Sequence, residues 1–296
     1  MPTSFDDKPE LVCEIGPDRV IAGRRDRDGR LSPYTWRDVP AGSVAPRLVG
    51  SNVVSPEALK TAVGGALDAV ASRGKDVILV IPDASVRIIL LDFESLPEDL
   101  EEALPLVRFR LRKSLPFDVE QAAISFHASR SAGQVKTVCA VTPRAVISEY
   151  ESIVSDVGYT SGVVLPASLA SLGLIDCNRP TMLLTATADF LSLALAEQNE
   201  IKFFRTVELP HPGEFTSQLA EAVFPAVVFY EDVHKSKLEQ IVIAGMNPGA
   251  DFLATLEEQT GVRPREIVTS ADIGESLSSG VLAKNQLAAV LGAIAA

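Results

Sequence analysis

The chain has 296 residues, enough for two domains or one large one, and at 47% hydrophobic and 22% charged it can bury a sizeable core rather than stay disordered. Its 27 basic and 39 acidic side chains leave a net charge of −12, which argues against broad electrostatic binding to nucleic acid or anionic lipid. Three scattered cysteines (Cys13, Cys139, Cys177) and three isolated histidines (His127, His211, His234) suggest neither a disulfide framework nor a metal site. No apolar run approaches the roughly 18 residues of a membrane span, and the start of the chain is polar and acidic. The composition reads as a soluble cytoplasmic protein.

Residues 1–9 read as a loose polar tail. Residues 11–16 form a short strand closing at a glycine, residues 19–23 its returning partner, and Asp28-Gly29 a hairpin turn. Asp26 and Asp28 belong to that turn, since a calcium loop needs a downstream bidentate Glu that is not there. Ser55-Pro56 starts a helix with Leu59, Ala62, Val63, Ala66, Leu67 and Val70 on one face, stopped by Gly74. Residues 77–81 and 86–93 are apolar strands of a sheet covered on both faces. An acidic turn at 97–102 opens a helix that Pro105 kinks or splits and that ends by Pro116. Residues 122–129 and 135–141 are a strand pair. Thr142-Pro143 then caps a helix with Val146, Ile147, Tyr150, Ile153, Val154 and Val157 inward, ended by Gly158.

The second half repeats the logic. Residues 181–196 read as strand–turn–strand, 197–200 as a turn and 201–207 as a third strand. A helix lies around 215–223, and Pro225 starts or kinks the next through Tyr230. Residues 241–245 are a strand, 251–259 a helix stopped by Gly261, and 285–295 an apolar helix of small residues. Both halves open on hairpin strands and later deliver a strand–helix unit, the order of a duplicated α/β domain with mixed sheets.

Catalytic signatures are missing: there is no P-loop, H-E-x-x-H, G-x-S-x-G or G-x-G-x-x-G. Gly64-Gly65 lies in a helical pattern rather than after a strand. Residues 98–102 read as a solvated first turn instead of paired catalytic carboxylates, and no cysteine has a histidine nearby to activate it. His127 reads as a surface or hydrogen-bonded residue.

An ordered set of segments resembles the PilM family of type IV pilus assembly, and the cytoplasmic part of the type II secretion protein GspL is similar. Cys13-Glu14-Ile15-Gly16 with Val20-Ile21-Ala22 sits where that family has D-I-G-x-x-x-I-K-A, and residues 77–82 and 86–93 follow its V-x-L-A-I-P and next strand. Arg108-Phe109 with Leu115-Pro116-Phe117 keeps the spacing of R-W-x-x-x-x-x-I-P-F. Residues 138–158 and 164–170 match the following strand–helix segment and helix entry. Phe229-Tyr230, Ile243-Ala244-Gly245 and residues 288–292 match the F-Y helix, a glycine turn and the terminal helix. The resemblance implies an actin-like (ribonuclease-H-like) α/β fold. Residues 1–94 with 161–178 would form one domain, 95–160 a small inserted subdomain, and 179–296 the second domain.

Family members that bind ATP hold its phosphates on two glycine hairpin turns and adenosine on a third, with an Asp holding magnesium through water. Here the first turn carries Glu14 in place of Asp, then Gly16 and Pro17. The second, family D-x-G-x-x-x-T, maps to residues 185–191 and keeps neither Asp nor Gly at Thr185 and Thr187. The third keeps Gly245 and Gly249 around a bulkier middle. The expectation is a pseudo-ATPase whose residual nucleotide positions are Glu14, Gly16, Thr185, Thr187, Gly245 and Gly249, with neither ATP nor magnesium as a cofactor, no metal site and no catalytic residue. The resemblance further implies a scaffold, peripheral to the inner membrane, that docks the cytoplasmic tail of a PilN-like inner-membrane protein within a pilus or secretion apparatus. Arg108, Phe109, Leu115, Pro116 and Phe117 are the candidate docking residues, although the same stretch reads as a kinked helix with a basic face. The alternatives are an active ATPase or sugar-kinase-like enzyme, a GspL-like component, or an unrelated α/β module. If the fold is actin-like, Glu14 and Thr185 should border one cleft, and the Glu14 carboxylate should find a donor or stay wet.

Overall fold

The computed structural model describes residues 9–71, 73–131, 133–209 and 215–295; of the expected tail only Pro9 lies among them, and His211 lies outside. Three strands open the chain, β1 (Leu11–Ile15), β2 (Arg19–Arg25) and β3 (Leu31–Asp38), joined antiparallel in sequence. Helix α1 (Pro56–Val70) crosses over to β4 (Asp76–Ile81), which returns parallel to β1. The six α1 residues expected to face inward are the six it buries, because an apolar repeat of 3.6 residues leaves a helix one dry side.

Then the chain leaves this sheet. A 3₁₀ turn at Asp83–Ser85 leads into β5 (Arg87–Phe93), followed by α2 (Leu100–Leu111), β6 (Ala122–Ser131) and β7 (Gln134–Pro143). These strands form a separate sheet in the order β5-β7-β6, with Ala103, Val107 and Leu111 of α2 packed on it. Helix α3 (Arg144–Asp156) and strand β8 (Thr160–Pro166) return to the first sheet, whose order is β3-β2-β1-β4-β8. Short helix α4 (Ala167–Leu172) carries the chain into the second half.

There β9 (Thr181–Ala186), β10 (Phe190–Glu197) and β11 (Glu200–Glu208) form another antiparallel set. Helix α5 (Phe215–His234), β12 (Gln240–Ala244), α6 (Ala250–Thr260), β13 (Pro264–Glu266) and α7 (Ala288–Ala295) complete the chain. The sheet order β11-β10-β9-β12-β13 repeats that of the first sheet strand for strand. β1 and β9 are its equivalent centres, each antiparallel to the next strand and parallel to the one after the first helix.

Several expectations need correcting. β5 belongs to the three-stranded sheet rather than to that of β4, and its alternating burial replaces the expected two-sided cover. α3 packs Val146, Tyr150, Ile153 and Val154 into the first sheet's core, so it is not part of the insertion. α7 leaves the second half and packs on α4 between the two large sheets, in a core that joins Val12 and Val80 to Leu183 and Val242. A Cβ at Gly292 of α7 would lie 2.0 Å from the Ala170 carbonyl oxygen, so the helices cross where only glycine fits. Neither Pro105 nor Pro225 breaks its helix. Both prolines and the residues whose carbonyls they orphan, Glu101 and Glu221, face solvent, where water replaces the missing bond.

Candidate functional site

A cavity of about 1610 Å³ opens between the two large sheets and the inserted subdomain. Its floor is the pair of turns that follow β1 and β9: Glu14, Gly16, Thr185 and Thr187 all line it, and Gly245 after β12 joins them. Gly249 does not line it; this residue caps the N-terminus of α6. Five of the six expected positions are thus brought together by the duplicated topology.

Every one of these turns spends a backbone amide on the protein itself. Gly16 N–H donates to the Arg19 carbonyl at 2.8 Å, Thr187 N–H to the Phe190 carbonyl at 2.9 Å, and Gly245 N–H to the Asn285 carbonyl at 2.8 Å. The Thr187 hydroxyl closes its turn further by accepting from Phe190 N–H at 3.2 Å. Gly245 is held at φ +79° with the Ala186 carbonyl oxygen 2.6 Å from where a Cβ would stand, so a side chain cannot replace it.

The acidic groups of the cavity are unusual. Asp83, buried in the 3₁₀ turn after β4, accepts from Ser168 N–H at 2.9 Å and from the Ser168 hydroxyl at 2.5 Å. Burial raises its carboxyl above the ordinary range, and the Ser168 bonds hold it back. Glu14 has no such support: its Oε2 is buried without a hydrogen-bond partner. Burial, then the charges of Asp83 and Asp18, push its carboxyl up to about 8 against a smaller opposing pull from Arg19. The expectation that Glu14 would find a donor or stay wet fails for this oxygen. Thr185 Oγ1, on the facing strand, is likewise buried and unpartnered.

The candidate docking residues separate into two groups. Arg108 and Phe109 line a smaller groove of about 440 Å³ along α2, with Leu104, Pro105, Arg112 and Val119. Phe109 is 72% exposed, and Arg108 pairs with Glu120 at 2.8 Å. Leu115 and Phe117 instead pack against the core of the inserted subdomain, leaving only Pro116 of that tripeptide exposed. Sequence reasoning missed the polar cluster on Asn52, which is fully buried. Its Oδ1 accepts from Ser85 Oγ at 2.7 Å and Tyr150 OH at 3.2 Å, while Glu149 accepts from Asn52 N–H and Val53 N–H. An Asn in a loop beside Arg47 and Ser51 carries no sequence signal for such a role.

Among the described residues no three His, Cys, Asp or Glu side chains gather as a metal site, and no helix is long and apolar enough to cross a membrane. No protein-family model and no curated protein matches the sequence. Solved structures do. A chain of a PilM–PilN type IV pilus biogenesis complex superposes with a TM-score of 0.80 at 16% identity, covering 97% of this chain and 98% of that one. The cytoplasmic domain of EpsL, an inner-membrane component of the type II secretion system of Vibrio cholerae, matches at 0.52 and 10% identity over 92% and 90%. A Bacteroides thetaiotaomicron protein described as having an actin-like ATPase fold matches at 0.53 and 9% over 92% and 95%. The resemblance read in the sequence to the PilM family therefore extends over nearly the whole fold, and that fold is the actin-like one.

Proposed function

We propose that this chain is an actin-like scaffold of a pilus or secretion apparatus that docks the cytoplasmic tail of a PilN-like inner-membrane protein, and that its cleft does not work as an ATPase. The observation that carries the reading is the TM-score of 0.80 over 97% of the chain to a PilM–PilN complex. The site supports the second half of it. The amides of Gly16 and Thr187, in the two turns that hold phosphates in ATP-binding family members, and of Gly245, in the turn that holds adenosine, are committed to protein carbonyls. Cβ atoms at Ala186, Thr187 and Ala188 crowd the second turn, and Thr185 stands where the family has its magnesium carboxylate, the turn's own acid, Asp189, coming four residues later. Burial and the charges of Asp83 and Asp18 push the Glu14 carboxyl up to about 8, toward its neutral form. The residues present do not fit ATP with magnesium.

Titration calorimetry tests both halves. ATP, with and without magnesium, is expected to show no binding tighter than about 10 µM, equivalent to roughly 7 kcal/mol. A synthetic peptide of the cytoplasmic N-terminus of the inner-membrane protein encoded beside this gene is expected to bind. Tight, magnesium-dependent ATP binding would overturn the pseudo-ATPase reading, and failure of the peptide would overturn the docking reading.

A further inference from the structure

The outer edge of the first sheet is covered by chain from the second half. After β13 the chain crosses over, and residues 272–278 run parallel along the free side of β3. Leu31 N–H donates to the Asp272 carbonyl and Gly274 N–H to the Leu31 carbonyl, both at 3.0 Å. Tyr34 N–H donates to the Glu275 carbonyl at 3.0 Å, and Leu277 N–H to the Tyr34 carbonyl at 2.9 Å. The Ser278 hydroxyl lies 2.8 Å from that of Thr35, accepts from Trp36 N–H at 2.9 Å and donates to the Trp36 carbonyl at 3.1 Å. A Cβ at Gly274 would stand 2.5 Å from the Ser32 Cβ, so this strap reaches β3 only because the residue is glycine.

The strap has little slack. Upstream, Val268 is fully buried in the core between the halves, and Asp272 closes a turn by accepting from Thr269 N–H at 2.7 Å and from its hydroxyl at 2.6 Å. Downstream, Leu282 packs on that same core and the chain enters α7. We propose that residues 272–278 are a latch that holds the cleft at one width, so that the two halves turn relative to one another only when the strap leaves β3. Geometry sets the lever. α7 crosses α4 at the junction of the halves and packs on β1. The strap lies three strand spacings beyond β1, about 14 Å at roughly 4.8 Å each. Turning one half by about 10° about that crossing, a modest rotation for domains, moves the strap by about 2.5 Å and breaks its hydrogen bonds. A latched cleft presents one surface to a partner, with no fraction of the chain lost to other widths.

Two readouts on the full chain test it. Trp36 is the one tryptophan of the sequence, and Gly280 at the end of the strap lies against its ring, so acrylamide quenching of its fluorescence reports strap release. Spin labels on Ala41→Cys and Ala188→Cys, exposed residues that line the cavity from opposite halves, report the width of the cleft by pulsed electron resonance. The native Cys13, Cys139 and Cys177 are buried and give little background. With the native strap, one narrow distance distribution is expected. Gly274→Ala should raise the quenching constant at least twofold and broaden the distance distribution about twofold. Should Gly274→Ala fold poorly, Ser278→Ala serves instead, since it removes only the three hydroxyl bonds; it should move both readouts the same way by a smaller amount. A broad distribution with the native strap, a freed Trp36 with the cleft distance unchanged, or a Trp36 that neither variant exposes overturns the proposal.

Discussion

Glu14 and Thr185 hold equivalent places in the two halves of the molecule. Each is the residue before the last of a central strand, each borders the same cavity, and each carries a side-chain oxygen buried without a hydrogen-bond partner. The duplicated backbone puts them there, whatever the side chains now do.

The Glu14 carboxyl makes stability depend on pH. Its ordinary value is 4.5, and burial raises it to about 8 in the folded chain. A raised carboxyl favours folding fully below the ordinary value, and that contribution is lost as pH rises through the folded one, at up to about 1.4 kcal/mol per pH unit. Thermal melts of wild type should therefore fall from about pH 5 to about pH 8 more steeply than those of Glu14→Gln, with the variant the more stable at the alkaline end. Parallel curves would show that Glu14 does not titrate as its burial demands.

Gly292→Ala should destabilise the chain by about 1–3 kcal/mol, the range for forcing atoms into a packed core. The new Cβ would stand 2.0 Å from the Ala170 carbonyl oxygen and push α7 off α4. Urea unfolding reads this as a lowered midpoint. Gly74→Ala, in an exposed loop with nothing within 4 Å of the added atom, is the control and should leave the midpoint near wild type.

Asn52→Ala should cost about 2–3 kcal/mol, because the buried Ser85 and Tyr150 hydroxyls lose their shared acceptor. The two share their own contact at 3.1 Å, which limits the loss. Chemical denaturation of Asn52→Ala against Asn52→Asp would separate a missing acceptor from a missing donor, since the aspartate keeps the oxygen and loses the bonds to the Arg47 and Gly50 carbonyls.

Phe109→Ala should leave stability unchanged, because the ring is 72% exposed, yet weaken binding of the membrane-protein tail about tenfold if α2 is its seat. Calorimetry with the peptide measures it. Phe117→Ala should behave in the opposite way, losing stability first, since that ring packs against the core of the inserted subdomain. Equal peptide affinity for wild type and Phe109→Ala would move the docking site away from α2.

Local pattern made much of the fold legible. The buried faces of α1 and α3 follow from apolar spacing along single helices, and β1, β2, β9 and β10 follow from short apolar runs between turn residues. β3 escaped the reading because Pro33 interrupts it. Residues 272–277 pair along its outer side, Leu31 N–H donating to Asp272 O and Tyr34 N–H to Glu275 O, and no local pattern announces a partner 240 residues away. The candidate cleft was legible only as an ordered set of turns, and its chemistry was not.

What the sequence by itself determined is the order of strands and helices and the side each helix turns inward, because hydrophobic periodicity and turn residues act over a few neighbours. Only the tertiary structure decided which sheet receives β5, where α7 packs, that Gly249 lies outside the cavity, and that the Glu14 and Thr185 oxygens have no partner. Each of these depends on strand pairing, helix crossing or burial between residues far apart in the chain, and a side chain's hydrogen bonds and charge state are set by what is brought against it rather than by its neighbours in sequence.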